Sequence, residues 1–202
     1  DTYWVEGNPR DNGRNTLLRA DSMGQISEVL PLIDGIRLPD VRTRVHEYGG
    51  RAYAVSDGFI VFSDGFDGRV YAFNTRDPRR QLVPLTPLGK VRYGDFEIAD
   101  VRGLVYAVAE DHSDPGEPVN SLVAIPLDGR AARNAFEIIP IFGGSDFVSS
   151  PTLSPDGTKL AWLSWNHPNM AWTRSALHVG SLDFEGKIAA SLILVDKPEV
   201  CV

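Results

Sequence analysis

Residues 150–165 read SPTLSPDGTKLAWLSW, which is a short extended segment, a tight turn and then an apolar segment of strand length. The turn centres on Asp156-Gly157, and glycine accepts a positive φ angle there at little steric cost. The apolar segment is rich in aromatic and branched residues and is bounded by turn residues, as strands are. This stretch therefore predicts a β-hairpin.

The same unit recurs twice earlier in the chain, as RAYAVSDGFIVFSD at residues 51–64 and as DFEIADVRGLVYAVAED at residues 95–111. The turn glycines of the three units lie 45 and 54 residues apart. They are Gly58, Gly103 and Gly157. A further strand-length segment follows each unit. These segments are residues 69–74, 121–127 and 176–182. A repeat of about 40–50 residues with three or four antiparallel strands is typical of a β-propeller blade.

The chain is therefore predicted to be all-β, with about four antiparallel blades of three to four strands each. The approximate blade limits are residues 1–40, 41–90, 91–140 and 141–202. The first blade reads as a unit without its innermost strand. Residues 188–196, IAASLILVD, form either the outer strand of the last blade or the start of another. A closed four-bladed ring is the alternative to a segment of a larger propeller.

Composition narrows the class of protein. Of the 202 residues, 43% are hydrophobic and 23% are charged, as in folded soluble proteins. A net charge of −7 and a pI of about 5.1 argue against nucleic-acid binding, and no apolar run is long enough to span a membrane. The start at Asp1 shows no signal peptide and predicts a processed or excised chain. The lone Cys201 excludes an internal disulfide and favours a cytoplasmic setting.

Four motifs carry a resemblance to a known family. They read YWVEGNPRDNGR at 3–14, TRVHEYGG at 43–50, SPDGTKLAW at 154–162 and LSWNHPNMAW at 163–172. Together they resemble serine peptidases of the prolyl oligopeptidase family, in the acylaminoacyl-peptidase or dipeptidyl-aminopeptidase-like branch. The third motif is also found in TolB-type propellers. Ala171 departs from the pattern, since that branch usually has proline there.

The resemblance implies an incomplete part of a seven- or eight-bladed propeller that caps an α/β-hydrolase domain. The catalytic residues of such enzymes lie in that domain, which is absent from this chain, so the chain alone is predicted to be inactive. Its nearest approach to a Gly-x-Ser-x-Gly nucleophile motif is GGSDF at 143–147, which ends in phenylalanine and precedes a strand. The implied role is to gate access of peptide substrates and to help position their N-terminus. No cofactor is expected, and homo-oligomerisation stays open.

The first group of candidate binding residues is Arg44, His46 and Glu47, just before Gly49-Gly50. A glutamate directed into a propeller channel can bind a peptide ammonium group through a charge-assisted hydrogen bond. The resemblance implies this role for Glu47, because related exopeptidases use propeller glutamates in that way. The alternative is that His46 and Glu47 fix the start of the blade by bonding local backbone.

The second group is Trp165, Asn166, His167 and Trp172, together with Met170. Amphipathic aromatic side chains suit contact with substrate or with a hydrolase domain. The alternative is a loop that packs on its own blade. A separate set of aromatic residues is predicted to form the core between blades. These are Trp4, Tyr53, Phe62, Tyr71, Tyr106 and Trp162.

No metal site is predicted, because the four histidines are scattered and there is one cysteine. The acidic stretch EDHSD at 110–114 is predicted to be a solvated loop, with weak cation binding as the alternative. Two other functions stay open: a TolB-like propeller that acts as a protein-interaction scaffold, and a four-bladed carbohydrate-active enzyme. The second would need two or three carboxylates clustered on its channel, roughly 5–10 Å apart.

Overall fold

A computed structural model describes residues 1–196 of the chain. Strands hold 49% of the residues and helices 6%, so the predicted all-β class is confirmed. Within the described part, no helix has the length and apolar character needed to cross a bilayer. Cys201 lies outside the described residues.

The first sheet has three antiparallel strands in chain order. They are β1 (Thr2–Asn8), β2 (Arg14–Ala20) and β3 (Ile26–Glu28). The loop between β1 and β2 contains a single 3-10 turn, Pro9–Asp11, which is capped by the Asn8 side chain.

Three four-stranded sheets follow, each antiparallel and each ordered along the chain. The second sheet holds β4 (Tyr53–Ser56), β5 (Phe59–Ser63), β6 (Val70–Asn74) and β7 (Leu82–Pro84). The third holds β8 (Val91–Ala99), β9 (Leu104–Asp111), β10 (Val119–Pro126) and β11 (Ile139–Phe142). The fourth holds β12 (Phe147–Leu153), β13 (Lys159–Trp165), β14 (Ala176–Leu182) and β15 (Ile188–Val195). The other 3-10 turns are Asp100–Arg102, Arg130–Ala132 and Ala135–Glu137.

The turns predicted from the repeated unit are present. Gly58, Gly103 and Gly157 all have positive φ angles and stand between the first two strands of their sheets. Asp57 also has a positive φ angle of 45°, as the two-residue hairpin between β4 and β5 requires. The final segment pairs with β14, so residues 188–195 form the outer strand of the fourth sheet.

The core lies between neighbouring sheets, because each strand directs alternate side chains to opposite faces. In β5, Ile60 and Phe62 join the cluster shared with the first sheet, whereas Val61 joins the cluster shared with the third. Four of the six aromatic residues predicted for the core are buried. They are Phe62, Tyr71, Tyr106 and Trp162. Tyr53 is half-buried against the cluster shared by the first two sheets.

The prediction was wrong for Trp4, which is only half-buried. Its indole nitrogen lies 3.4 Å from a carboxylate oxygen of Glu6 on the same strand. Side chains alternate along β1, so Tyr3 and Val5 pack against the core cluster that the first two sheets share, and Trp4 lies on the opposite face.

The first strands of the third and fourth sheets are bulged. Their registers shift at Asp95 and Ser150, and both residues have positive φ angles, 52° and 56°. The Asp95 carboxylate accepts the backbone N–H groups of Arg51 (2.9 Å) and Ser150 (3.1 Å), and so joins segments from three sheets. Gly50 permits this approach, because a Cβ atom there would lie 2.9 Å from Asp95 Oδ1.

Strand direction places the loops of the second, third and fourth sheets at two ends. Neighbouring strands run in opposite directions. The segment that leads into the first strand of a sheet therefore lies at the same end as the loop that joins the second and third strands of that sheet. We call this end the site end. Its leading segments are residues 40–52, 85–90 and 143–146, and its loops are residues 64–69, 112–118 and 166–175. The far end carries the other turns and loops.

Candidate functional site

The two groups of candidate residues predicted from sequence come together at the site end. The His46 ring lies 5.5 Å from the Phe147 ring and 5.5 Å from the Trp165 ring, both in edge-on arrangements. The segment that leads into the second sheet is therefore packed against the fourth sheet. The residues at 44–48 and at 165–172 form one candidate site rather than two.

An unusual backbone turn presents the first group. His46 and Glu47 have φ angles of 55° and 64°, and Gly49 follows at 81°. Non-glycine residues adopt this left-handed region rarely, and such strain tends to persist where surrounding contacts enforce it. Three backbone hydrogen bonds close the turn: from Glu47 N–H to Arg44 O (3.0 Å), from Tyr48 N–H to His46 O (2.8 Å) and from Gly49 N–H to Val45 O (2.9 Å).

Glu110 holds this turn from the neighbouring sheet. Glu110 is near the end of β9 and is only 2% exposed. Its Oε2 accepts the His46 backbone N–H at 2.6 Å. Its Oε1 accepts from Arg92 Nη1 at 3.1 Å and lies 2.5 Å from His112 Nε2. A buried carboxylate needs such partners to offset the loss of hydration. The sequence prediction of a solvated loop at 110–114 was wrong for Glu110, because β9 extends as far as Asp111.

The Glu47 side chain projects into solvent. It is 77% exposed, and its Oε1 accepts from Arg92 Nη1 at 2.6 Å. This hydrogen bond and the charge of Arg92 lower the pKa of Glu47, so the side chain is a carboxylate at neutral pH. The hydrogen bond found for this carboxylate in the described part of the chain runs to Arg92 rather than to local backbone. The start of the second sheet is fixed by Glu110 instead.

Glu47, Glu110 and His112 also have the composition of a metal site, with ligand atoms within 4.8 Å of one another. However, Arg92 Nη1 already contacts both carboxylates, at 2.6 and 3.1 Å. A metal ion would have to displace that guanidinium group.

His46 contributes its ring to the packing of the site. Burial is the main cause that lowers the pKa of His46, while the charges of Glu110 and Asp95 act in the opposite direction. The ring also lies 5.8 Å from that of Tyr48, an exposed residue. A neutral imidazole is thus expected near pH 7, in contact with aromatic rings on two sides.

In the second group, Trp165 is not a surface residue. It is the last residue of β13, is 6% exposed and stacks on Phe147 with ring centroids 5.3 Å apart. The hairpin predicted at 150–165 ends at the same residue as β13. Trp165 supports the site from beneath, and direct contact of this side chain with a ligand stays a prediction.

The loop that follows is tied to Asp146 of the leading segment. Asn166 Oδ1 accepts the Asp146 backbone N–H at 2.7 Å, and Asp146 Oδ2 accepts the His167 N–H at 2.9 Å. The bonds from His167 lower the pKa of Asp146. Further along the loop, Trp172 is 63% exposed. Asn166, His167 and Trp172 therefore lie on the surface of the site end.

The fold matches several proteins of known structure. No model of a protein family matches the chain, and no curated protein does. A crystal structure of puromycin hydrolase matches 98% of the chain and 31% of that protein, at 33% identity and a TM-score of 0.87. A puromycin-hydrolyzing peptidase of Mycobacterium tuberculosis gives 36% identity and a TM-score of 0.82 over the same shares of the two chains.

The chain is a propeller segment of the prolyl oligopeptidase family. It spans about a third of the length of the two hydrolases. TolB of Acinetobacter baumannii also matches, over 96% of this chain and 40% of that one, at 14% identity and a TM-score of 0.54. That likeness supports the fold alone.

Several residues of this prolyl oligopeptidase segment were missed by sequence reasoning. They are Arg92, Asp95, Glu110, Asp146 and Phe147. Arg92 and Glu110 are direct cross-strand partners, so an opposite-charge pair could have been found by aligning the two predicted strands. The sequence shows no comparable sign for Asp95, because its role depends on a β-bulge. The alternation of apolar and polar residues along a strand does not reveal a bulge.

Proposed function

We propose that this chain is the part of a serine peptidase propeller that gates access and helps position the N-terminus of a peptide substrate. The observation that carries the proposal is the match of 98% of the chain to puromycin-hydrolysing enzymes of which it spans only 31%. The hydrolase domain that performs the chemistry lies outside these 202 residues in this proposal. The blade limits near residues 40, 90 and 140 and a cytoplasmic location belong to it as well.

Glu47 is the residue proposed to bind the ammonium group of the substrate. Its carboxylate is exposed and charged, and the turn that presents it is held by Glu110 from the neighbouring sheet. A carboxylate held in place before the ligand arrives loses little conformational freedom on binding. Charge-assisted hydrogen bonds of this kind are about twice as strong as neutral ones.

The exposed loop is proposed to complete the contact surface. Asn166 and His167 are fixed on Asp146, and Trp172 extends the surface at the same end. Arg44 lies at the start of the turn and is exposed. These side chains are offered to the substrate or to the hydrolase domain.

The test uses the protein expressed from its complete reading frame and aminoacyl chromogenic substrates with a free or an acetylated amino group. Glu47→Gln is expected to raise KM for the free-amine substrate about tenfold, from the loss of one charge-assisted hydrogen bond. The effect on the acetylated substrate is expected to be much smaller. Puromycin, the compound named for the related enzymes, is the next substrate to assay.

The matched control is Glu137→Gln at the far end, where Glu137 pairs with Arg130 on the surface. It is expected to leave both KM values unchanged. Equal losses for the two substrates would count against the role of Glu47. The 202-residue chain by itself is expected to show no turnover, and activity that disappears in Ser145→Ala would overturn the assignment of a non-catalytic segment.

A further inference from the structure

A pocket of about 270 Å³ opens between the second and third sheets at the site end. Three arginine residues line it, together with Thr43, Ser63 and Tyr93. The arginines are Arg42, Arg44 and Arg92. We infer that this pocket binds a carboxylate group of the ligand. The inference extends the proposed function from the amino end of a peptide to a second group on the same molecule.

The acceptors in the pocket wall are already occupied. The Tyr93 carbonyl oxygen accepts from Thr43 Oγ1 at 2.6 Å and from Ser63 Oγ at 2.7 Å. The Asp64 carboxylate is fully buried and accepts from Arg37 through both Nη1 (3.0 Å) and Nη2 (2.8 Å). It also accepts the backbone N–H of Asp40 at 2.9 Å. Little acceptor capacity is left for a ligand that brings donors.

The donors, in contrast, are only partly used. Among residues 1–196, the Arg44 guanidinium makes no hydrogen bond or ion pair, and the bonds of the Arg92 guanidinium all run from Nη1. Arg42 donates from Nη2 to the Gly13 carbonyl at 2.8 Å, and its Nε lies 3.4 Å from Asp40 Oδ2. The pocket therefore offers guanidinium N–H groups to a ligand that brings acceptors.

A carboxylate fits this arrangement best, since the planar guanidinium fork binds its two oxygens in parallel. Arg92 also places the pocket beside the proposed ammonium site, because the same side chain contacts Glu47 at 2.6 Å. One short peptide can thus present a positive and a negative group to neighbouring positions. The carboxylate is either the C-terminus of the peptide or an acidic side chain.

The probes are three acetylated dipeptides, titrated by calorimetry into the protein from its complete reading frame. They are N-acetyl-Ala-Ala with a free carboxylate, the corresponding C-terminal amide, and N-acetyl-Asp-Ala amide. The free acid or the Asp peptide is expected to bind about tenfold more tightly than the Ala-Ala amide. The first outcome assigns the C-terminus as the source of the carboxylate, and the second assigns the side chain.

Arg44→Gln is expected to remove most of this difference, and Arg44→Lys to retain part of it as a point charge without the fork. Arg133→Gln, an exposed arginine of the far end, is the control and is expected to change nothing. Equal affinities for acid and amide, no binding of any probe, or an equal loss in Arg133→Gln would overturn the inference. The probes carry no ammonium group, so these results are independent of the role of Glu47.

Discussion

The two ends of the blades use charge in different ways. At the site end, Glu110 and Asp95 are buried and bond to backbone on neighbouring sheets. At the far end, four pairs of charged side chains each lie within one sheet and are largely exposed. These pairs are Asp57–Arg76, Asp77–Arg79, Asp128–Arg130 and Glu185–Lys187. Buried bonds between sheets fix geometry, whereas exposed pairs contribute little. The buried carboxylates therefore hold the geometry of the site end, and no comparable role falls to the exposed pairs of the far end.

Arg102 is an exception at the far end. Its guanidinium donates to the Asp183 carbonyl at 2.7 Å and to the Gly157 carbonyl at 3.0 Å, so it joins the third sheet to the fourth. Arg102 can therefore be compared with an exposed pair at the same end, because its hydrogen bonds join two sheets whereas the pairs named above lie within one sheet.

The largest effect is expected for Glu110→Ala. It leaves the His46 N–H and Arg92 without their buried acceptor, and we expect the free energy of unfolding to fall by about 3 kcal/mol. Urea denaturation measures this change. Glu117→Ala, an exposed acidic residue of the loop that follows β9, is the matched control and is expected to stay within about 0.5 kcal/mol of the parent. Equal effects of the two changes would contradict the structural role assigned to the buried carboxylate of Glu110.

Asp95→Asn is expected to cost about 1–2 kcal/mol. Asparagine tolerates the positive φ angle and keeps one acceptor oxygen, but it loses the charge-assisted bond to one of its two backbone donors. Asp95→Leu adds backbone strain and leaves both donors unpaired, so its loss should be larger. If both variants unfold at the same urea concentration as the parent, Asp95 does not join the three sheets in solution.

Arg102→Ala compared with Arg76→Ala tests the contrast within the far end. We expect a loss of about 1 kcal/mol for Arg102, which bonds to half-buried backbone of the next sheet. For Arg76, whose pair with Asp57 is exposed on both sides, the change should be at the limit of detection. Thermal or urea unfolding of the two variants side by side would reveal a reversed order, which would contradict the comparison.

The smallest effect concerns pH. Burial lowers the pKa of His46 and of His178 in the folded protein, while an unfolded histidine titrates near 6.5. The unfolded chain therefore binds more protons just below pH 6.5, and the free energy of unfolding should rise with pH through this window and level off above it. Urea midpoints between pH 5 and pH 8 measure the slope. His178→Gln should flatten it, and an unchanged slope would assign the dependence to other groups.

The sequence predicted the fold because its signals are local. Alternating apolar segments and positive-φ glycines at 58, 103 and 157 define each sheet without knowledge of the others. The candidate site was predicted less completely. Arg44, His46 and Glu47 stand together in the chain, but their partner Glu110 is 64 residues from His46. The acidic stretch at 110–114 has the composition of a solvated loop, and its sequence does not show that a neighbouring sheet covers Glu110. Trp165 lies at the end of β13, where the hairpin predicted at 150–165 also ends.

The hydrogen bond that Glu110 accepts from His46 affects which residues can stand at position 47. Because the carboxylate binds the main-chain N–H of residue 46, the turn does not depend on the side chain at position 47. Aspartate and asparagine are both compatible with the φ angle of 64° there. A single codon change can thus alter the charge or reach presented to a ligand while the scaffold stays intact. Under the role proposed for Glu47, position 47 is a starting point for redesigning ligand preference.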